Sequence, residues 1–256
     1  YGGNTDNEYT QKFGKQQGKY YVPQRAAAGL DPWATPQAYD NAKDFFDTGI
    51  TWSNSLNVAQ MLDKSSYSIS LGNTHQDGII SSTGMDRYNV KVSADTKLTN
   101  NWSSGFTANY ITTSIDKAVT SGNGLLRTVY AAPPSYDLAG IPSHVDGNPY
   151  TQNSFRGSFD NAYWAMENNK FTEDTNRFFG NVYTSYQTDF GTTNHKLNAK
   201  YMVGVDAYTT HYVDSYGYGS NTGGGRGQIE NYGWTNATYN SLLTINYDCL
   251  LYTSDA

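Results

Sequence analysis

Apolar and polar residues alternate along most of the chain with a period of two. In residues 88–95, for example, Tyr88, Val90, Val92 and Ala94 alternate with polar or charged residues. The same pattern occurs in 50–58, 66–72, 102–110, 197–207 and 239–247, and more weakly in 177–187, where aromatic residues fall on both phases. A period of two is typical of strands with one apolar and one polar face. The sequence therefore predicts about seven strands.

Short and long connections alternate between these strands, which indicates an antiparallel meander. Polar turns are predicted at Asp63–Ser65, Thr99–Asn101 and Thr188–His195, and longer linkers at 73–86 and 211–227. The longest connection, 113–175, contains four of the seven prolines and a possible short helix near Leu125–Ala132. A loop of this length is rare in a compact soluble domain and is usually functional. The first 45 residues have little periodicity.

Two architectures fit this meander. A soluble β-sandwich buries the apolar phase in a core, whereas a transmembrane β-barrel turns it to lipid and the polar phase to a wet lumen. The alternation of short and long connections, the consistently polar second phase and the terminal aromatic residues favour the barrel. Trp102 and Tyr110, eight residues apart on one face, would span roughly 20 Å along a tilted strand, close to the height of a membrane band.

The composition limits the classes of partner and of membrane segment that the chain can have. Charged residues make up 16% of the chain, against ~25% in a typical soluble domain, and 23 tyrosines contribute to an unusual polar and aromatic balance. A net charge of −6 without basic clusters makes nucleic acid an unlikely partner. No apolar run is long enough for a membrane helix.

Both ends of the chain are expected to be artificial boundaries. The first residue is not Met and no signal peptide follows it, so the chain is expected to begin inside a longer protein. The last eight residues, Cys249–Ala256, resemble the translation of a transposase sequencing adapter and are expected to be a non-native tail. This tail contains the single cysteine, so the sequence predicts no disulfide, thiol nucleophile or cysteine metal site.

A resemblance to a known family rests on several motifs in their order along the chain. The most specific is Gln76-Asp77-Gly78-Ile79-Ile80 followed by Thr83-Gly84-Met85-Asp86-Arg87. Further motifs are Asp44-Phe45-Phe46-Asp47-Thr48-Gly49, Pro133-Pro134-Ser135-Tyr136-Asp137-Leu138, Arg177-Phe178-Phe179-Gly180-Asn181 and Val203-Gly204-Val205-Asp206. Over most of residues 40–247 the chain resembles the SusC/RagA-like TonB-dependent transporters.

The resemblance implies a piece of a large plugged β-barrel in the outer membrane of a Gram-negative bacterium. It implies contact with outer-membrane lipids, a SusD-like surface lipoprotein as partner, energy from the TonB complex through a plug domain, and oligosaccharide or peptide cargo. The chain departs from the family because the plug, the TonB box and the remaining strands are absent. An unclosed sheet leaves edge hydrogen bonds unmet in lipid, so the chain alone is expected neither to insert nor to transport.

Candidate catalytic and metal sites are weak. Asp206 and Glu230 are predicted on adjacent strands, where they could form a hydrolase pair, but lumen-facing charges are the favoured interpretation. His75, His144, His195 and His211 have no metal-ligand spacing. The sequence predicts no enzyme, no cofactor and no metal site.

The candidate binding residues are aromatic and polar side chains of the loops. Sugars stack on aromatic rings while amides and carboxylates bind their hydroxyls, and both long loops offer such groups. These residues could line a ligand cavity, pack against the lipoprotein or pack the loop on itself. The candidates are Tyr150, Phe155, Asp160, Tyr163, Trp164, Tyr212, Tyr216 and Tyr218, with Asn161, Glu167 and Asp214 nearby.

The predicted organisation is an all-β chain that forms part of a transmembrane barrel. Its segments are an irregular loop (1–45), barrel strands (46–112), a long extracellular loop (113–175), further strands (176–248) and the tail (249–256). The aromatic residues expected at the membrane interfaces are Trp52, Trp102, Tyr110, Tyr201, Tyr239 and Tyr247. The sequence thus indicates a fragment of an outer-membrane nutrient importer, and the alternative is a soluble secreted β-sandwich that binds or hydrolyses carbohydrate.

Overall fold

One seven-stranded antiparallel sheet dominates the computed structural model, which describes residues 18–119, 124–190 and 195–249. Each strand pairs with the next one along the chain, so the predicted meander of about seven strands is confirmed. The strands are β1 (Thr51–Met61), β2 (Ser65–Asp77), β3 (Gly84–Lys97), β4 (Trp102–Lys117), β5 (Lys170–Phe190), β6 (His195–Tyr216) and β7 (Gln228–Cys249).

The strands extend further than the alternation predicted. The connections expected at 73–86, 113–175 and 211–227 occupy 78–83, 118–169 and 217–227. Several of the added strand residues are polar on both faces, as in 112–114, so they carry no period-two signal. The strands therefore continue beyond the region in which one face is apolar.

The connections differ at the two ends of the sheet. At one end, here the turn end, residues 62–64 and 98–101 form the tight turns predicted near Asp63–Ser65 and Thr99–Asn101. The third turn, predicted at Thr188–His195, falls at the same end, and its residues 191–194 lie outside the described residues. The three longer connections all leave the opposite end, here the loop end.

The pairing register divides the sheet into an apolar face and a polar face, because residues directly opposite one another share a face. One row of paired residues on the apolar face is Leu56, Leu71, Val90, Tyr110, Phe178, Ala207 and Ala237. The next row, on the polar face, is Asn57, Ser70, Lys91, Asn109, Phe179, Asp206 and Thr238. Within the described residues the apolar face has no covering layer: Val182 is 53% exposed and Ile245 63%.

The apolar residues form a band that crosses the rows of the register obliquely. On β2 the band consists of Tyr67, Ile69 and Leu71. The register row of Leu71 ends at Ala237 on β7. On β7 the band lies closer to the turn end, at Tyr239, Leu243, Ile245 and Tyr247. The tight turns move in the same direction, because β5 continues to Phe190 beyond Tyr186, the partner of the first residue of β4.

Apart from Phe171 at the start of β5, the buried apolar residues lie outside the seven strands. The buried core is formed by the described residues of 18–50 and 118–169 together with the connections 78–83 and 217–227, here called the loop domain. Its helices are α1 (Pro23–Ala27), α2 (Asn41–Phe45), α3 (Leu125–Ala131) and α4 (Ala162–Asn168). Its core residues are Val22, Phe45, Ile80, Leu125, Val129, Tyr136, Leu138, Ile141, Phe155, Phe159, Ala162, Trp164 and Ala165.

The loop domain refines two expectations. The helix predicted near Leu125–Ala132 is α3. The first 45 residues, expected to be irregular, supply α1, α2 and two core residues in their described part, while residues 1–17 lie outside the described chain. Two small sheets complete the loop domain: Tyr20–Tyr21 pairs with Trp33–Ala34, and His144–Val145 with Asn148–Gln152. None of the helices described here is long and apolar enough to cross a membrane.

The sheet has two open edges in the described part of the chain, β1 and β7. Every residue of β1 is exposed, and β7 ends at Cys249, which lies opposite His195; the rest of the predicted tail, 250–256, lies outside the described residues.

Open edges in lipid leave backbone donors and acceptors unpaired. We therefore expect the chain alone, added to phospholipid bilayers, to remain protease-sensitive and to run at the same position in gel electrophoresis with and without heating. In detergent micelles both edges can reach water, so the sheet can stay folded there. A protease-resistant band whose mobility changes on heating would contradict this expectation.

Candidate functional site

The carboxylate of Asp160 joins two loops that are distant in sequence. Its Oδ1 accepts hydrogen bonds from Gln152 Nε2 and from both the backbone and side-chain nitrogens of Asn221, each at 2.7 Å. Its Oδ2 accepts one from Ser220 Oγ at 2.7 Å. Asp160 is only 4% exposed. A buried carboxylate with this many donors is well satisfied, so Asp160 holds the connection 217–227 against the long loop.

Replacing Asp160 with alanine is expected to release that connection. The buried hydroxyl of Ser220 and the partly buried nitrogens of Asn221 would lose their charged acceptor, which costs about 3 kcal/mol. We expect faster hydrogen exchange at the Asn221 amide and faster proteolysis within 217–227. Asp160→Asn keeps one oxygen acceptor and should show a smaller effect. Unchanged exchange at Asn221 in the alanine variant would contradict this role.

Helix α4 places Trp164 at the centre of the loop domain. The Asn161 side chain caps this helix by accepting hydrogen bonds from the backbone nitrogens of Tyr163 and Trp164 at 3.0 and 3.2 Å. Trp164 is fully buried, and its Nε1 donates to the Pro149 carbonyl at 2.9 Å. Phe155, 7% exposed, belongs to the same core. The burial of these rings favours the interpretation in which the loop packs on itself.

Tyr163 is partly buried and connects α4 to α2. Its ring packs edge-on against Phe45 with centroids 5.3 Å apart, and its hydroxyl donates to the Asp44 carbonyl at 3.2 Å. Burial raises the pKa of the Tyr163 phenol, and the charge of Asp44 adds to the increase. Tyr163 therefore helps to pack α4 against α2 within the loop domain.

Tyr150 and Tyr218 are the predicted binding residues that remain accessible in the loops. They are 60% and 62% exposed and form a T-shaped pair with ring centroids 5.9 Å apart. The neighbouring Gly219 has a φ of 100°, and a Cβ there would lie 2.3 Å from the Tyr150 carbonyl oxygen. Only glycine fits this close approach, so Gly219 brings the two tyrosines together from different loops.

The remaining predicted residues, Tyr212 and Tyr216, lie on the polar face at the loop end of β6. Tyr216 packs edge-on against Phe171 at 5.0 Å. Tyr212 stacks on Tyr232 of β7 with centroids 5.0 Å apart and an interplanar angle of 9°, and Trp234 lies 5.2 Å away. Tyr212, Tyr232 and Trp234 are here called the aromatic cluster. The sequence reasoning missed Tyr232 and Trp234, although their spacing of two places them on one strand face.

The suggested carboxylate pair does not come together. Asp206 lies opposite Thr238, whereas Glu230 lies opposite Asp214, eight residues further along β6, which is roughly 26 Å along a strand. Asp206 instead accepts a hydrogen bond from Arg177 Nε at 2.8 Å on the neighbouring strand β5. Among the described residues no group of three or more His, Cys, Asp or Glu side chains is placed to hold a metal ion.

All six aromatic residues predicted at membrane interfaces lie on the apolar face and are exposed. Trp102 packs against Tyr186 at the turn end of the band with centroids 5.0 Å apart. Tyr110 lies at the loop-end boundary of the band, and its hydroxyl donates to Asn176 at 3.0 Å. The six residues are Trp52, Trp102, Tyr110, Tyr201, Tyr239 and Tyr247.

Comparison with solved structures finds proteins with a similar arrangement of strands. The chain is similar in fold to part of the RagAB peptide importer, a SusC/RagA-like TonB-dependent transporter. The solved structure shows this importer in its closed-closed state; the TM-score is 0.46, the sequence identity 13% and the coverage 83% of this chain. At these values the likeness concerns the arrangement of the strands alone. The chain spans about a third (32%) of that protein chain.

The other comparisons give no relatives. No protein-family model matches the sequence, and no curated protein matches it.

Polar groups on the apolar face begin immediately beyond the loop-end aromatic residues. His75 Nδ1 and Asp86 Oδ1 lie 2.7 Å apart, and Ser114 Oγ donates to Asp174 at 2.6 Å. These four residues belong to one register row, which also contains Trp52 and His211. On β2 to β5 the apolar band is thus bounded at the loop end by hydrogen-bonded polar side chains.

Proposed function

We propose that this chain forms part of an outer-membrane β-barrel importer of the SusC/RagA-like, TonB-dependent class. Its apolar face contacts lipid, its polar face lines a water-filled lumen, and the loop domain lies on the extracellular side. A SusD-like lipoprotein covers that side, the TonB complex acts through a plug domain, and the cargo is an oligosaccharide or a peptide. The role is transport, without a catalytic site or a cofactor.

The oblique apolar band is the observation that carries this proposal. In a barrel the strands tilt against the axis, so rows of paired residues climb relative to the membrane plane. A band that stays level with the membrane must then cross the rows and shift together with the turns. In this sheet the band shifts toward the turn end between Leu71 on β2 and Tyr239–Tyr247 on β7, and the tight turns shift the same way.

The location of the buried core supports the same conclusion. A β-sandwich buries its apolar face against a second sheet, yet the core residues of this chain come from the loop domain. Large apolar side chains such as Leu243, 59% exposed, instead form a continuous uncovered band. Contiguous apolar surface of this kind is typical of membrane or protein contact.

The tryptophans of the chain allow a direct test of the lipid-facing surface. Trp52 and Trp102 lie on the apolar face, Trp234 lies on the polar face, and Trp33 and Trp164 are buried in the loop domain. In micelles of a brominated detergent, which quenches fluorescence on contact, we expect a large quenched component. In a Trp52→Phe background, which removes the other tryptophan of the apolar face, Trp102→Phe should remove most of that component, whereas the matched variant Trp234→Phe should leave it nearly unchanged.

The soluble β-sandwich makes the opposite prediction. There Trp102 would be shielded by a second sheet, so brominated and ordinary detergent would give the same fluorescence. Equal quenching losses in Trp102→Phe and Trp234→Phe would also contradict a barrel wall with one lipid-facing side.

A further inference from the structure

The loop end of the polar face carries exposed aromatic rings. Tyr232 is 43% exposed and Trp234 51%, on a face whose other residues are mainly hydroxyl, amide and charged side chains. The two residues are two positions apart on β7, so they share a face, and both rings lie next to Tyr212 of β6. Parallel stacking of Tyr212 on Tyr232 leaves the aromatic cluster with a flat, accessible side.

One side of the aromatic cluster already holds a cation of the chain itself. Lys117 Nζ lies 4.4 Å from the ring centroid of Tyr212 and 3.3 Å from the Glu173 carboxylate. A ring face and a carboxylate together are the combination that stabilises an ammonium group in a partly desolvated site. The position of Lys117 therefore shows that this surface can bind an ammonium group.

The cluster also borders two further carboxylates on β6 and β7, in the register row that contains Lys117 two strands away. Asp214 and Glu230 are directly opposed on β6 and β7. Asp214 accepts a hydrogen bond from the Tyr232 hydroxyl at 3.1 Å, and Glu230 accepts one from Gln228 at 2.5 Å. Among the ion pairs of the described residues, none involves either carboxylate. Like charges directly opposite one another destabilise a sheet, and a bound cation would relieve that repulsion.

We propose that the aromatic cluster binds a basic side chain of a peptide, with its ammonium or guanidinium group between the exposed rings and the carboxylates of Asp214 and Glu230. This inference rests on the proposed function, because it takes the polar face as the wall of the lumen, and it assigns the cargo class. A neutral sugar could stack on the rings and donate hydroxyl hydrogen bonds to the carboxylates, but it would leave the paired negative charges uncompensated. The charge of the site thus favours a basic peptide.

Binding of tri-lysine to the chain in detergent micelles tests this assignment. We expect tri-lysine to bind, tri-alanine and maltotriose to bind far more weakly, and the affinity for tri-lysine to fall with added salt. The double variant Asp214→Asn/Glu230→Gln keeps the shape of both side chains and should weaken tri-lysine binding about tenfold or more. Trp234→Leu should also weaken it, whereas Tyr232→Phe, which keeps the ring, should retain most of it.

Asp248→Asn is the matched control. Asp248 lies on the same strand and the same face, opposite Lys196 at the turn end, and its replacement should leave tri-lysine binding unchanged. Equal binding of tri-lysine and tri-alanine, preferential binding of maltotriose, or full tri-lysine affinity in the double variant would each overturn the proposal.

The two proposals fail in distinguishable ways. If brominated detergent does not quench Trp102, the lipid-facing band is contradicted, while tri-lysine binding, if measured, still supports the basic-peptide site. Normal quenching without tri-lysine binding would contradict the basic-peptide site alone.

Discussion

Replacing Val182 with arginine is expected to destabilise the chain in micelles by about 2–4 kcal/mol, the cost of a cationic side chain near the middle of a lipid-facing strand. Val182 lies on the apolar face of β5, between Phe178 on the loop side and Tyr186 on the turn side. Its side chain is 53% exposed in the structure. The same substitution at an exposed position of a water-soluble sheet changes stability by at most about 0.5 kcal/mol.

Urea titration of the folded chain in phosphocholine micelles measures this difference. Asn181→Arg is the matched control, because Asn181 precedes Val182 on the same strand and lies on the polar face. We expect the control to cost much less, since the new guanidinium remains in water. Equal midpoints for the two variants would mean that both faces meet water, which contradicts a membrane-facing band.

Trp164→Ala is expected to destabilise the loop domain by about 3–5 kcal/mol. Truncation of a fully buried tryptophan leaves a large cavity, and it also removes the hydrogen bond to the Pro149 carbonyl. Because the core residues come from the loop domain, the β-structure signal in circular dichroism should persist while proteolysis within 124–169 accelerates.

Tyr150→Ala is the control for this second prediction. Tyr150 is 60% exposed, so its removal should change proteolysis little. Comparable protection of the Trp164→Ala and Tyr150→Ala variants would show that Trp164 does not anchor the core. A loss of transport or partner binding in Trp164→Ala alone would reflect loop collapse, whereas the same loss in Tyr150→Ala or Tyr218→Ala would indicate contact with cargo or lipoprotein.

The alternation of residue types was sufficient to predict the sheet. The pattern at Tyr88–Ala94 and its repeats depends only on the period of two in a strand, and it placed the six interface aromatic residues on one face. Strand ends were predicted less well, because beyond the band both faces of the strands are polar. Thr112, Thr113 and Ser114 illustrate this, since neither face there selects for apolar residues.

The site could be predicted only in part. Phe155 and Trp164 were identified as aromatic residues of a long loop, but their burial depends on Val22 and Phe45, far away in the sequence. Asp160 likewise depends on Ser220 and Asn221 from another connection. The aromatic cluster was half predicted: Tyr212 was named, while Tyr232 and Trp234 required the pairing register of β6 and β7.

The wide sequence separation within the loop domain has a kinetic consequence. The Tyr20 hydroxyl donates to the Ser135 carbonyl 115 residues away, and Asn153 Nδ2 donates to the Gln24 carbonyl 129 residues away. Contacts between such distant segments form slowly because the chain must first close long loops. The hairpins of the sheet are local and should form first, and they bring the segments of the loop domain together. Refolding should therefore be biphasic, with β-structure acquired before the environment of Trp164 becomes native.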